Sequence, residues 1–259
     1  MNLTKLLALL FCCILCSCTP YLYLNTPPNM PLAGDKGEFK GNVYFGGEGA
    51  GVQASYAVDS HYVVLLDFAG QNAQTGTATL NNVTYNSNVS NFQGDIGGGY
   101  YQKIGQFGRL EFLGGIGFGA VNTQDLVFNS ILPPDYTLDN VNGGFFHIFA
   151  QSDIGLVKKN FEFGFGVRLS NITTTASYEA DEITGNNSKS VQYYQSLNGD
   201  ALFVEPSLMF AVGWRKFKFN ASAGFSGKLF GQDINQQYGS IYQSFALNFG
   251  VTFNFNRKL

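Results

Sequence analysis

Eighteen aspartates and glutamates, fifteen lysines and arginines and two histidines are the material from which this chain could build a chemical site. General acid–base catalysis needs a carboxylate and a second titratable group held together out of water. Asp67, Asp95, Arg109, Glu111, His147, Asp153, Glu162, Arg168, Glu205 and Lys218 each sit among apolar neighbours, as in the run Phe161, Glu162, Phe163. Lys40 and Lys228 share that setting. The same residue types also form ion-pair networks that only hold structure, and this is the reading their even spread along the chain favours. Arg109 and Arg168 are the expected hubs, because a planar guanidinium can bind carboxylates in pairs. His61 falls in a short turn and His147 inside an alternating segment, so a Ser-His-Asp triad or a histidine-rich metal site has little to draw on. Glu179, Asp181 and Glu182 cluster in one polar stretch and read as solvated rather than as a cation site. No catalytic residue, cofactor or metal ligand is assigned.

A second kind of chemistry lies at the amino terminus. Lys5 precedes an apolar run over residues 6–15, too short for the roughly 20 residues of a spanning helix and of the right length for an export signal. The run ends Leu15, Cys16, Ser17, Cys18, which resembles the lipobox of bacterial lipoproteins. That resemblance implies cleavage before Cys18 and its modification by diacylglycerol and an amide-linked acyl chain such as palmitate. All four cysteines, Cys12, Cys13, Cys16 and Cys18, lie in this leader, so the remaining chain has no disulfide to form. The expected organisation is a signal peptide over residues 1–17, a lipidated amino terminus and extended tether over 18–38, and one further domain over 39–259. Pro20, Pro27, Pro28 and Pro31 keep the tether out of regular structure.

The elements that must carry the charges are strands. From Phe245 to Phe255, Phe, Leu and Val at every second position alternate with Ala, Asn, Gly and Thr, and a period of two puts these sets on opposite faces of a sheet. The pattern recurs near residues 39–46, 49–58, 61–70, 92–102, 109–121, 144–156, 161–172, 201–213, 217–228 and 241–255. Short connections at 59–60, 103–108, 157–160 and 214–216 alternate with long polar ones at 71–91, 122–143, 173–200 and 229–240; the tight first hairpin at 46–49 is the exception. The expectation is an all-β, antiparallel, up-and-down transmembrane β-barrel of ten strands, with apolar side chains outside and the charged set in the lumen. Eight strands remain open if the first hairpin stays outside the membrane or two segments merge. An even count puts both ends of the barrel on the short-turn, periplasmic side.

Composition agrees. Charged residues make up 13% of the chain, about half the usual quarter, and a net charge of −3 supplies no basic stripe for nucleic acid. Glycines within strands, among them Gly94, Gly98, Gly114, Gly117, Gly119, Gly164, Gly166 and Gly224, leave room for large neighbours in a curved wall. Tyr136, Tyr178, Tyr193, Tyr194, Tyr238 and Tyr242 gather near loop ends, where an aromatic girdle is expected.

The lipobox, the proline-rich tether and the run Gly-Glu-Phe-Lys-Gly at residues 37–41 together resemble the small lipidated outer-membrane β-barrels of the Bacteroidetes. The resemblance implies an integral outer-membrane protein, anchored by Cys18 in the periplasmic leaflet, with outer-membrane lipid and the barrel assembly machinery as partners. Two departures stand out. Phe255 is followed by four further residues instead of ending the chain, and no acidic patch resembling a surface-export signal follows Cys18. The expected function is a noncatalytic barrel with a charged, plugged lumen and long extracellular loops of unknown ligand, in a structural, adhesive or envelope-maintaining role. A narrow channel for small solutes or ions, a lipid-anchored β-sandwich binding carbohydrate, and an outer-membrane hydrolase are the alternatives.

Overall fold

The structure, a computed structural model, describes residue 23 and residues 25–47, 49–80, 83–131, 134–183, 189–231 and 244–256. The signal segment and Cys18 lie outside the described residues.

Twelve strands form one antiparallel sheet: β1 (Phe39–Gly46), β2 (Gly49–Ala57), β3 (Tyr62–Leu80), β4 (Val83–Ile104), β5 (Gly108–Ile131), β6 (Pro134–Lys158), β7 (Phe161–Ile183), β8 (Lys189–Ser196), β9 (Gly199–Gly213), β10 (Phe217–Phe225), β11 (Gly227–Gly231) and β12 (Phe245–Phe255). β7 pairs with β9 from Phe161↔Val212 to Thr174↔Gly199, and β12 pairs with β1 from Phe39↔Phe255 to Gly46↔Asn248. The sheet therefore closes on itself. β8 prolongs the line of β9 along the upper part of β7, and β11 prolongs β10 along the upper part of β9. The ring proper has ten strands. Closure pairs every spanning strand on both sides, which the hydrocarbon interior of a membrane demands.

Side-chain alternation decides which surface faces lipid. On β5, Phe112, Ile116 and Phe118 point out while Glu111, Leu113 and Gly117 point in. On β12, Phe245, Phe249, Phe253 and Phe255 are exposed while Ala246, Asn248, Thr252 and Asn254 are buried. The apolar belt on β6 runs over residues 146–156, within the 9–11 residues that one crossing requires, and on the neighbouring β5 over residues 112–118. Tyr56, Tyr62, Tyr100, Phe107 and Trp214 are exposed near the short turns, where amphipathic rings meet headgroups. Those turns are tight: Gly105 takes φ +63° between β4 and β5, and Trp214 and Phe217 exchange backbone hydrogen bonds between β9 and β10.

Two expectations change here. The segments expected as long loops are largely strand: β3 and β4 stay paired to Leu80↔Val83, and β5 and β6 to Ile131↔Pro134. Above the membrane both faces of a hairpin are wet, so the hydrophobic alternation that reveals a strand disappears although the ladder continues. The rim is uneven as a result. The β1–β2 hairpin stops at Gly46↔Gly49, while β5, β6 and β7 reach 23 to 25 residues in length.

The second change is the segment expected as a tether. It is extended, without a regular strand over residues 25–34, yet Asn25, Thr26, Asn29, Met30, Leu32 and Ala33 are all buried. It runs inside the barrel. Eight strands are filled by their own side chains; a ring of ten leaves a gap along its axis, and this segment occupies it.

Candidate functional site

The site is the contact between the lumen wall and the internal segment, called the plug below. It has three tiers, which follow the chain backwards from the short-turn end. In the lowest, the Glu111 carboxylate on β5 accepts from two consecutive backbone amides, Leu32 at 2.9 Å and Ala33 at 2.8 Å. Glu38 accepts from the Gly34 amide, and Asp35 pairs with Lys103 at 2.7 Å. Arg109 is buried beside Gly34, so close that a Cβ there would lie 2.9 Å from its Nη2.

The middle tier joins six strands. Glu162 on β7 receives Lys218 from β10 at 2.9 Å and Lys40 from β1 at 3.1 Å, and Lys40 also donates to the Met30 carbonyl at 2.8 Å. Asn29 donates to Asp67 at 2.7 Å. Gln151 donates to Asp153 and to the Asn29 carbonyl, both at 2.8 Å, and Gln53 donates to the Pro27 carbonyl. Three glycines shape this level. A Cβ at Gly155 would meet Leu32 at 2.7 Å, one at Gly164 would meet Met30 at 2.9 Å, and one at Gly166 would run into Asp153. Their lack of a side chain is what lets Met30 and Leu32 lie against the wall.

Arg168 organises the upper tier. Its Nε donates to Glu205 at 2.8 Å, Nη1 to Asp95 at 3.3 Å, and Nη2 to the Thr26 carbonyl at 3.3 Å and the Tyr23 hydroxyl at 3.5 Å. His147 Nε2 lies 2.8 Å from Asp95. A Cβ at Gly117 would overlap both of these side chains. Tyr23 donates to Glu205 at 2.8 Å and sets its ring edge-on to Phe145, with centroids 5.2 Å apart. Val121, Val141, Ile172, Tyr178, Leu197 and Phe203 pack around it as an apolar cluster.

The ten charged residues expected in the lumen thus sit as follows. Asp95, Arg109, Glu111, His147, Asp153, Glu162, Arg168, Glu205 and Lys218 are buried, and Asp67 is half-buried against Asn29. They occupy three tiers rather than one cluster. Lys228, expected inside, is exposed on β11 above the ring, and Tyr178, expected in the outer girdle, is only 4% exposed. Tyr194 does face outward, at 64% exposure. Tyr238 and Tyr242 lie outside the described residues. Glu179 is exposed on β7, and among the described residues no group of three or more His, Cys, Asp or Glu is placed to hold a metal ion.

Sequence reasoning missed the plug and its neutral contacts Gln53, Gln93 and Gln151. The signal was present in the wall's charge. Asp67, Asp95, Glu111, Asp153, Glu162 and Glu205 outnumber Lys40, Arg109, Arg168 and Lys218, so donors had to come from elsewhere. One cavity beside the plug, of about 20 Å³, is lined in part by Pro27, Pro28, Met30, Lys40, Gln53 and Asn220 and has room for a single water.

No protein-family model matches this chain, and no curated protein sequence matches it. The solved structures it matches include the translocator domain of the autotransporter NalP from Neisseria meningitidis, at 12% identity and a TM-score of 0.45, covering 85% of this chain and 87% of that one.

Proposed function

We propose that this outer-membrane β-barrel is a lipoprotein acylated at Cys18, noncatalytic, with its lumen sealed by its own amino-terminal segment and its tall hairpins presented outside as an adhesive or envelope-stabilising platform. The observation that carries the reading is the wall-to-plug lock. Plug backbone groups at Thr26, Pro27, Asn29, Met30, Leu32 and Ala33 all bond wall side chains. The buried acids and bases are engaged with one another or with the plug, which supports a structural role over a hydrolytic one. A sealed, cross-braced barrel is a rigid base, and β3 to β7 rise from it well beyond the membrane. Fatty-acid labelling of the cell, lost in Cys18→Ala, tests the acylation. The intact chain in a planar bilayer tests the seal: silence is expected, and steady conductance from the intact chain would overturn it.

One observation favours a second reading, a channel opened when the plug withdraws. The excess of wall carboxylates makes the emptied lumen electronegative, so that channel would pass cations in preference to anions. A chain lacking residues 23–36 should then conduct with cation selectivity.

A further inference from the structure

We infer that the barrel threads its own amino terminus to the outer face, so that Cys18 and its lipid belong to the outer leaflet, not the periplasmic one. The inference rests on the acylated-lipoprotein reading for the lipid, but the threading stands on the order of contacts along the plug. Beginning at Phe39, where the chain enters β1 beside the short turns, Glu38 accepts the Ala57 amide and Gly37 accepts from Asn256, both at the periplasmic rim. Leu32 and Ala33 lie at Glu111, Met30 at Lys40, Pro27 at Gln53, and Thr26 at Gln93 and Arg168. Tyr23 lies at Phe145 and Phe203, near the tops of the spanning parts of β6 and β9. From Ala33 back to Tyr23 the contacts climb the wall from Glu111, three residues above the foot of β5, through Arg168, seven above the foot of β7, to Phe203, ten above the foot of β9.

Reach decides the rest. Tyr23 is only five residue steps from Cys18, and fully extended these span at most about 18 Å. Phe203 is ten residues above Gly213 at the foot of β9; with about 3.3 Å rise per residue and a tilt near 40°, that is about 25 Å of depth. A chain leaving Tyr23 downwards would fall short of the periplasmic headgroups. It would also have to share the lumen with the plug, whose backbone is bonded to the wall from Ala33 to Thr26. Upwards, the low β1–β2 hairpin, ending at Gly46↔Gly49 beside the much taller β3 and β4, leaves a gap in the rim through which a short segment can turn to the outer leaflet.

The test uses the full chain with an epitope inserted between Thr19 and Pro20, expressed in cells and read by antibody binding and external protease before and after outer-membrane permeabilisation. Control epitopes go in the short turn at residues 105–106 and at the hairpin tip at 81–82. Heat-dependent gel mobility reports that each tagged barrel has folded; if the 19–20 insertion prevents folding, Pro20→Cys with a membrane-impermeant maleimide gives the same readout. The inference expects the 19–20 site to react on intact cells as the hairpin tip does. Reaction only after permeabilisation, as at the short turn, overturns it. Fatty-acid labelling of the same samples separates the two claims. A surface-reactive but unacylated chain upholds the threading and removes the lipid anchor, whereas an acylated chain reactive only after permeabilisation keeps the lipoprotein and sinks the threading.

Discussion

Replacing Arg168 by Met should open the barrel without dismantling it. The side chain is about 1% exposed and holds two wall carboxylates, Glu205 and Asp95, together with two plug groups, the Thr26 carbonyl and the Tyr23 hydroxyl. Removing one partner of a buried charge cluster costs about 3–5 kcal/mol, because the remaining charges stay buried without compensation. Part of that cost is relieved if the plug withdraws and water reaches Glu205 and Asp95. Taking the lower figure of about 3 kcal/mol, the ratio of open to closed barrels rises about a hundredfold at 1.4 kcal/mol per decade. Lys218→Met is the control. It also breaks a buried ion pair, with Glu162, but that pair runs from wall to wall, and Lys218 itself bonds Glu162 and no plug group. In planar bilayers Arg168→Met should show bursts of cation-selective conductance while Lys218→Met stays as quiet as the unaltered chain. Both should unfold at lower temperature by gel mobility. If Arg168→Met is silent, or if Lys218→Met conducts equally, the plug is not what closes the barrel.

Leu32→Ala removes a fully buried side chain from its seat against Gly155 and should cost about 2–5 kcal/mol, whereas Leu32→Met should cost under about 1.5 kcal/mol; denaturant titration of the refolded barrel distinguishes the two. Gly117→Ala drives a Cβ into His147 and Asp95 and should lower the heat-shift temperature by about 1–3 kcal/mol of destabilisation. Gly114→Ala, whose Cβ would meet only the Phe149 carbonyl at 3.4 Å, should be tolerated in the same assay. Ile116→Arg on the lipid face of β5 should reduce folding free energy into bilayers by about 2–4 kcal/mol, and an unchanged value would mean that this face does not meet hydrocarbon.

What the sequence disclosed and what it hid follow from one physical distinction. A spanning strand has lipid on one side, so Phe245 to Phe255 alternate strictly and the wall of β12 is legible residue by residue. The upper reaches of β5 and β6, such as Asn122↔Asn142 and Gln124↔Asn140, have water on both sides and lose that period, which is why they read as loops. The lumen charges were legible because a charge among alternating aromatics has only one cheap direction to point. Lys228 broke that rule since β11 stands above the ring, where outward is no longer lipid. The plug carried no period at all: its prolines announce only that it is neither helix nor strand, which is equally true of a free tether.

Its presence inside was nevertheless implied by three features taken together. Ten strands enclose more than their side chains fill; Gly155, Gly164 and Gly166 on adjacent strands widen that space further; and the inward acids exceed the inward bases. An empty lumen of that kind would leave Glu111, Asp67 and Asp153 to be solvated by a water column. Instead two backbone amides reach Glu111, the Asn29 amide reaches Asp67, and Gln151 ties Asp153 to the same plug residue. The plug is therefore the complement of the wall's charge as much as of its volume, and so its withdrawal would leave behind a surface suited to cations.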